Sequence, residues 1–257
     1  TINFNRTYTQ NALLNGITLD GALLPGFDSN DFEYEVELPV GTTVLPMIGV
    51  INGADGQTTE VVTNGVNGDA IITVVADDNT TTQTYTIHFT VDKSQVNTLL
   101  DIQLDGVSIE GFDPAVYEYT YTMPVGTRVW PLVSYTAGDA YQTVDMTENV
   151  IDDWNKVVTL VANPEDETVE SKTYIVNLLV EKSAVNTLKD IQLDNVSMEG
   201  YDAETTEYVI ELPIGTKKYP EVTWTMGDEF QDVDSQVEDN KVRLTVTAED
   251  SSIRVYT

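Results

Sequence analysis

Phe32-Glu33-Tyr34-Glu35-Val36-Glu37-Leu38 alternates apolar and acidic residues without a fault. Successive side chains of a β-strand point to opposite faces, so Tyr34, Val36 and Leu38 share one face and the glutamates take the other. A strand of this kind needs a second layer for its apolar face and leaves its acidic face in water. The same apolar phase returns in Thr206-Glu207-Tyr208-Val209-Ile210-Glu211-Leu212. Further strands are read over residues 71–75, 157–161 and 242–246, with closing strands over 85–91 and 174–180. Asn64-Gly65, Asn67-Gly68 and Gly138-Asp139 are turn signals between them, and no segment carries a useful helical period. The expectation is an all-β chain of short antiparallel strands arranged as immunoglobulin-like β-sandwiches.

The pattern repeats. Asn97-Thr98-Leu99-Leu100-Asp101-Ile102-Gln103-Leu104-Asp105-Gly106 returns as Asn186-Thr187-Leu188-Lys189-Asp190-Ile191-Gln192-Leu193-Asp194-Asn195, and more loosely from Asn11 to Gly21. Gly26-Phe27-Asp28, Gly111-Phe112-Asp113 and Gly200-Tyr201-Asp202 follow in the same order, 85 and then 89 residues apart. Leu38-Pro39-Val40-Gly41-Thr42, Met123-Pro124-Val125-Gly126-Thr127 and Leu212-Pro213-Ile214-Gly215-Thr216 come next. Solenoid repeats run about 20–50 residues because one unit cannot bury its own core, whereas about 85 residues makes a small independent domain. Three tandem modules are expected over 11–94, 95–183 and 184–257. Residues 1–10 precede them, and linkers too short to flex set the modules in an extended rod.

Among 257 residues, 43 are acidic and 12 basic, a formal charge of −31. Phosphate backbones and anionic lipid surfaces are bound through Lys and Arg, so nucleic acid and membrane-surface partners are excluded. No apolar run approaches the roughly 18 residues of a membrane span. At 41% hydrophobic and 9% aromatic the chain folds despite its charge. Cys is absent, which removes disulfides, thiolate metal sites and Cys nucleophiles. No Gly-x-Ser-x-Gly elbow, phosphate loop or His-Glu-x-x-His pair occurs, so no catalytic residues can be named and the chain reads as a non-enzyme.

These landmarks resemble the bacterial cadherin-like β-sandwich modules. Modules of that family open on Leu-x-x-Leu-x-Leu-x-Gly, matched by residues 99–106, and turn at an aromatic-Asp pair, matched by Phe112-Asp113. They continue through x-Tyr-x-Val-x-Val-Pro, matched over 119–124, and close on Ala-x-Asp followed by Tyr-x-Val, matched over 162–176. The resemblance implies a secreted or surface-displayed bacterial protein whose modules act as spacers, adhesin repeats or appendages of polysaccharide-active enzymes. It carries no shared catalytic residues, and no cadherin-type calcium motif stands at the junctions. No cofactor follows from it.

The two ends are out of phase with the modules. Thr1-Ile2-Asn3-Phe4-Asn5 aligns with the closing strand at Thr86-Ile87-His88-Phe89, ahead of any module it could close. The segment ending Tyr256-Thr257 reaches only the start of that strand, so the third module lacks its closing strand. Two readings stand open. The chain is a window on a longer array, or Thr1 to Asn5 of one copy completes the third module of another by strand addition. Either way Thr1, Ile2, Asn3, Phe4, Asn5, Tyr256 and Thr257 are inter-module residues, ordered as strand where a partner is present, and neighbouring copies or modules are the partners.

Three aromatic residues are candidates for stacking on sugar rings: Trp130 and its counterpart Tyr219, expected to point outward beside inward Pro131, Val133 and Tyr135, and Trp154 in a turn. The alternative for each is packing against a neighbouring module. Trp224 reads as core. His88 reads as a lone outward polar residue, since Asn177 holds its place in the second module. The pairs Asp232 and Asp234, Asp152 and Asp153, and the run Glu165-Asp166-Glu167 could flank a glycosidic bond or bind calcium. A structural calcium ion at the linkers is opposed by Lys93 and Lys182. Asn5-Arg6-Thr7, Asn79-Thr80-Thr81 and Asn195-Val196-Ser197 fit the N-glycosylation pattern, a frequent match in so Thr-rich a chain. The leading expectation is a structural or adhesive repeat array of an extracellular or cell-surface fibre. The other is a carbohydrate-binding or spacer region of a secreted polysaccharide-degrading enzyme.

Overall fold

The computed structural model describes residues 1–257 as an all-β chain of twenty strands in six sheets. The chain divides into two compact units. One comprises residues 1–97 with the loops 139–143 and 163–170, and the other comprises 98–138, 144–162 and 171–257.

In the first unit, β1 (Leu14–Leu19), β2 (Ala22–Leu23) and β4 (Ile48–Asn52) form one sheet in the order β2-β1-β4. Strands β3 (Glu33–Leu38), β5 (Thr58–Thr63), β6 (Asp69–Val75) and β7 (Thr82–Val91) form the other, in the order β3-β7-β6-β5. Leu14 and Ile17 of β1 share one buried core with Ile72, Val74, Tyr85, Ile87 and Phe89 of the second sheet. The glutamates of β3 face solvent while Tyr34, Val36 and Leu38 pack on that core.

The second unit holds two such arrangements. Strands β8 (Leu99–Leu104), β9 (Val107–Ser108) and β11 (Val133–Ala137) pair as β11-β8-β9. They share a core with the sheet β10-β14-β13-β12, made of β10 (Glu118–Met123), β12 (Thr143–Val150), β13 (Asn155–Asn163) and β14 (Lys172–Val180). The third sandwich combines β15 (Leu188–Leu193), β16 (Val196–Ser197) and β17 (Val222–Met226) with β18 (Asp232–Glu238), β19 (Lys241–Thr247) and β20 (Ile253–Tyr256).

The opening strands do not keep a strict period of two: Leu14 and Ile17, Leu99 and Ile102, and Leu188 and Ile191 are all buried three residues apart. A β-bulge resolves this. The register jumps from Leu14 to Gly16, from Leu99 to Asp101 and from Leu188 to Asp190, so one extra residue per strand returns the next apolar side chain to the core.

Two expectations are corrected here. The sandwiches are not wholly antiparallel: β3 runs parallel to β7 (Glu33↔Thr86 through Leu38↔Val91), and β10 runs parallel to β14 (Glu118↔Ile175 through Met123↔Val180). A parallel pair needs a long crossover, and the intervening strands supply it. The strand expected over residues 206–212 does not form. β20 ends at Tyr256, and only Thr257 reaches this segment, accepting the Tyr208 N–H (2.9 Å) and donating to Thr206 O (2.8 Å). Val209 is left 92% exposed. Residues 1–10 carry no strand within the single chain, and Ile2 and Phe4 face solvent.

Candidate functional site: an aromatic groove in the second unit

Trp154 sits in the tight β12–β13 connection. The Asp152 carboxylate accepts bonds from the Trp154 backbone N–H (2.8 Å) and the Asn155 amide (2.8 and 2.9 Å), and Trp154 O accepts the Val180 N–H (2.8 Å). These donors, the Trp154 N–H foremost, hold the Asp152 carboxyl below the usual carboxylate range. The indole N–H of Trp154 donates to Glu249 (3.3 Å), and the Lys182 ammonium lies 4.0 Å from the ring centroid. Glu249 also accepts the backbone N–H of Ser183 (2.9 Å). Trp154 thus ties the second sandwich to the segment leading into the third.

Trp130 was expected to point outward, but it is half-buried against the core of the second sandwich together with Trp154. Residues 128–132 form no strand, so alternation does not govern them. Tyr135, expected inward, is 37% exposed. Trp130 and Trp154 line one groove of about 390 Å³, with Arg128, Asp152, Asp153 and Glu249 also on its walls. Tyr219 is 61% exposed on the third sandwich and takes no part in this groove. Trp224 packs against the third core. Leu45 and Val66 stand where Trp130 and Trp154 do, so the first sandwich has no aromatic pair there.

Arg128 and Glu249 were not singled out by sequence reasoning, and Lys182 was read only as opposing a linker calcium ion. Glu249 takes the part that Glu165 takes one linker earlier, each accepting a serine N–H (Ser183 and Ser94, both 2.9 Å), but nothing in the sequence shows that it turns toward a tryptophan. His88 is not alone as expected: Nδ1 lies 2.7 Å from Asp69 and Nε2 2.9 Å from Glu33, on adjacent strands of the first sandwich. Both carboxylates, Asp69 first, raise its pKa. No group of three or more His, Cys, Asp or Glu side chains is placed to hold a metal ion. No helix is long and apolar enough to cross a membrane.

No protein-family model matches the chain. Among curated proteins, a gellan lyase from a Bacillus species is 36% identical over 107 residues, 40% of this chain and 4% of the relative. An exo-beta-1,6-galactobiohydrolase from Bifidobacterium longum subsp. longum is 34% identical over 83 residues, 31% of this chain and 5% of the relative. The matched stretches therefore span about one-twentieth of those relatives' length or less. Solved structures that are similar include the human desmocollin-1 ectodomain (6% identity, TM-score 0.23, 88% of this chain and 59% of that one). The protocadherin gamma B4 extracellular domain aligns at 10% identity and TM-score 0.25, over 88% of this chain and 48% of that one.

Proposed function

We propose that the chain is a non-catalytic accessory segment of an extracellular bacterial enzyme that degrades polysaccharide, and that the groove between Trp130 and Trp154 is its glycan contact. One observation carries the reading: two relatives, one named a lyase and the other a hydrolase, each share a stretch about one repeat long, only 4% and 5% of their length. Stretches that make up so small a share of each relative are the size of an accessory module and not of a whole enzyme. The groove supports it from the side of geometry. Two indoles offer apolar faces, while Asp152, Asp153 and Glu249 can accept sugar hydroxyls and Arg128 can donate.

The test is electrophoresis through gels cast with soluble neutral polysaccharides, together with an assay for new reducing ends. The reading expects retardation in at least one glycan and no product; sustained product formation by the 257-residue chain contradicts it. A second reading, a structural stalk or spacer, is favoured by the way the segments between sandwiches are pinned at Ser94 and Ser183, whose backbone N–H groups donate to Glu165 and Glu249 (2.9 Å each). It is compatible with the first if the array also sets a distance between enzyme and glycan.

A further inference from the structure

Besides the Glu249 and Trp154 contacts already described, the segment between the second and third sandwiches is held by three others. The buried Ser183 hydroxyl bonds Asp228, the Gln231 amide donates to Val185 O (2.6 Å) and Thr187 O (2.8 Å), and Phe230 packs on Gly126. Gly126 has a φ of +79°, and a Cβ there would lie 3.0 Å from the Phe230 ring. Arg128 covers the same ring at 5.4 Å. Within the first unit the set recurs residue for residue. Ser94 bonds Asp139, Gln142 donates to Val96 O (3.0 Å), and Tyr141 packs on Gly41, whose missing Cβ leaves room for the phenol. Both loops read Gly-Asp-x-aromatic-Gln, and both receiving turns read Pro-x-Gly-Thr with the Thr hydroxyl donating to the Pro carbonyl.

The third copy of each half departs from this pairing. In the first sandwich the loop is Gly53-Ala54-Asp55-Gly56-Gln57. Gln57 keeps its bonds to Asn11 O and Leu13 O, but the carboxylate has become Ala54 and the aromatic has become Gly56. Gly56 has a φ of +80° and a Cβ there would meet Asp77, so the backbone is not shaped to carry an aromatic side chain. In the third sandwich the receiving turn is intact: Thr216 bonds Pro213 O, and Gly215 (φ +93°) has no atom within 4 Å of a built Cβ. Around it Ile214 and Tyr219 are exposed.

We infer that the Gly-Asp-x-aromatic-Gln loop and the Pro-x-Gly-Thr turn are two halves of a directional lock between consecutive sandwiches. The exposed Gly215 turn is then the docking surface for a further β-sandwich that carries such a loop, and the first sandwich presents no such knob. The occupant follows from continuity with the two filled copies of the interface. A second copy of this chain does not qualify, because the loop it would present is the one with Ala54 and Gly56.

Limited trypsin digestion tests the lock in the full chain. Giving the third sandwich the first sandwich's residues, Asp228→Ala with Phe230→Gly, should speed cleavage at Lys182 about tenfold, because cleavage follows the opened population. Cleavage at Lys93 in the same molecule is the internal standard, and Phe230→Tyr should restore protection. Unchanged cleavage at Lys182, or loss not rescued by Tyr, overturns the lock. A second arm appends residues 176–257 after Thr257, which supplies the rest of the closing strand and a fourth sandwich with its own Phe230 loop facing Gly215. The appended linker should resist trypsin, and the same two substitutions confined to the appended copy should expose it about tenfold. Equal cleavage with and without the knob overturns the Gly215 assignment. In sedimentation the unextended chain should remain monomeric, and a concentration-dependent head-to-tail series blocked by filling Gly215 would overturn the conclusion about the first sandwich.

Discussion

Three tyrosines, Tyr85, Tyr174 and Tyr256, each carry a hydroxyl through a core to the opposite sheet. It accepts the backbone N–H of Leu14, Leu99 or Leu188 and donates to a carbonyl at Ser29, Pro114 or Ala203. Burial pushes the hydroxyl pKa of Tyr85 and Tyr174 up. Tyr174→Phe leaves the Leu99 N–H and the Pro114 carbonyl without that partner, which costs about 1–3 kcal/mol; urea unfolding followed through tryptophan fluorescence should show a lower midpoint. The β15–β16 turn offers the opposite change. Asp194 and Asn195 hold φ of 50° and 67°, where the other repeats place Asp20-Gly21 and Asp105-Gly106. Asn195→Gly should stabilise the third sandwich by about 0.5–1 kcal/mol, read as a higher Tm. His88 gives a pH signature. Its folded pKa is raised, so its contribution is fully present below the unfolded value of about 6.5 and is lost as pH rises through the folded value. Relative to His88→Asn, the wild-type chain should lose stability as pH rises across neutrality. The sequence showed a tyrosine at the start of each closing strand but not where its hydroxyl goes, because that partner lies in a strand about 70 residues away.

At the scale of the strand, alternation in residues 32–38 and the apolar runs of β6, β13 and β19 could be read directly. A period of two is a local property of the backbone. Pairing direction could not be read, because β3 meets β7 across more than 50 residues and the same alternation fits a parallel or an antiparallel neighbour. Residues 206–212 make the point in reverse: their pattern is as strand-like as that of β3, yet without a paired ladder they stay irregular. The third core holds six buried apolar residues against twelve and thirteen in the others, so this sandwich should open first. Appending Val176 through Val180 after Thr257 should order it. Each recovered ladder bond contributes about 1 kcal/mol, and amide exchange at Ile210 and Leu212, which continue the Tyr208 N–H side of the ladder, should slow. Exchange that stays fast at both amides would show that residues 206–212 do not belong to that sheet.

For the molecule as a whole, the charge of −31 was plain from composition and sets an expectation of its own. Self-repulsion among surface carboxylates weakens the folded state, so added salt should raise Tm as the Debye length falls to about 8 Å near physiological ionic strength. The groove was only half legible. Trp130 and Trp154 were recognisable as aromatic residues without counterparts in the first repeat, but their convergence depends on a turn at 152–155 and an irregular segment at 128–132 that no period describes. The proposed glycan contact requires that this groove hold sugar. Isothermal titration of the 257-residue chain with a panel of soluble polysaccharides and their oligosaccharides measures this most directly. The account predicts saturable binding in about the millimolar range or tighter, weakened at least about tenfold by Trp130→Ala. Absence of binding to every glycan, or equal affinity in the Trp130→Ala chain, would contradict it.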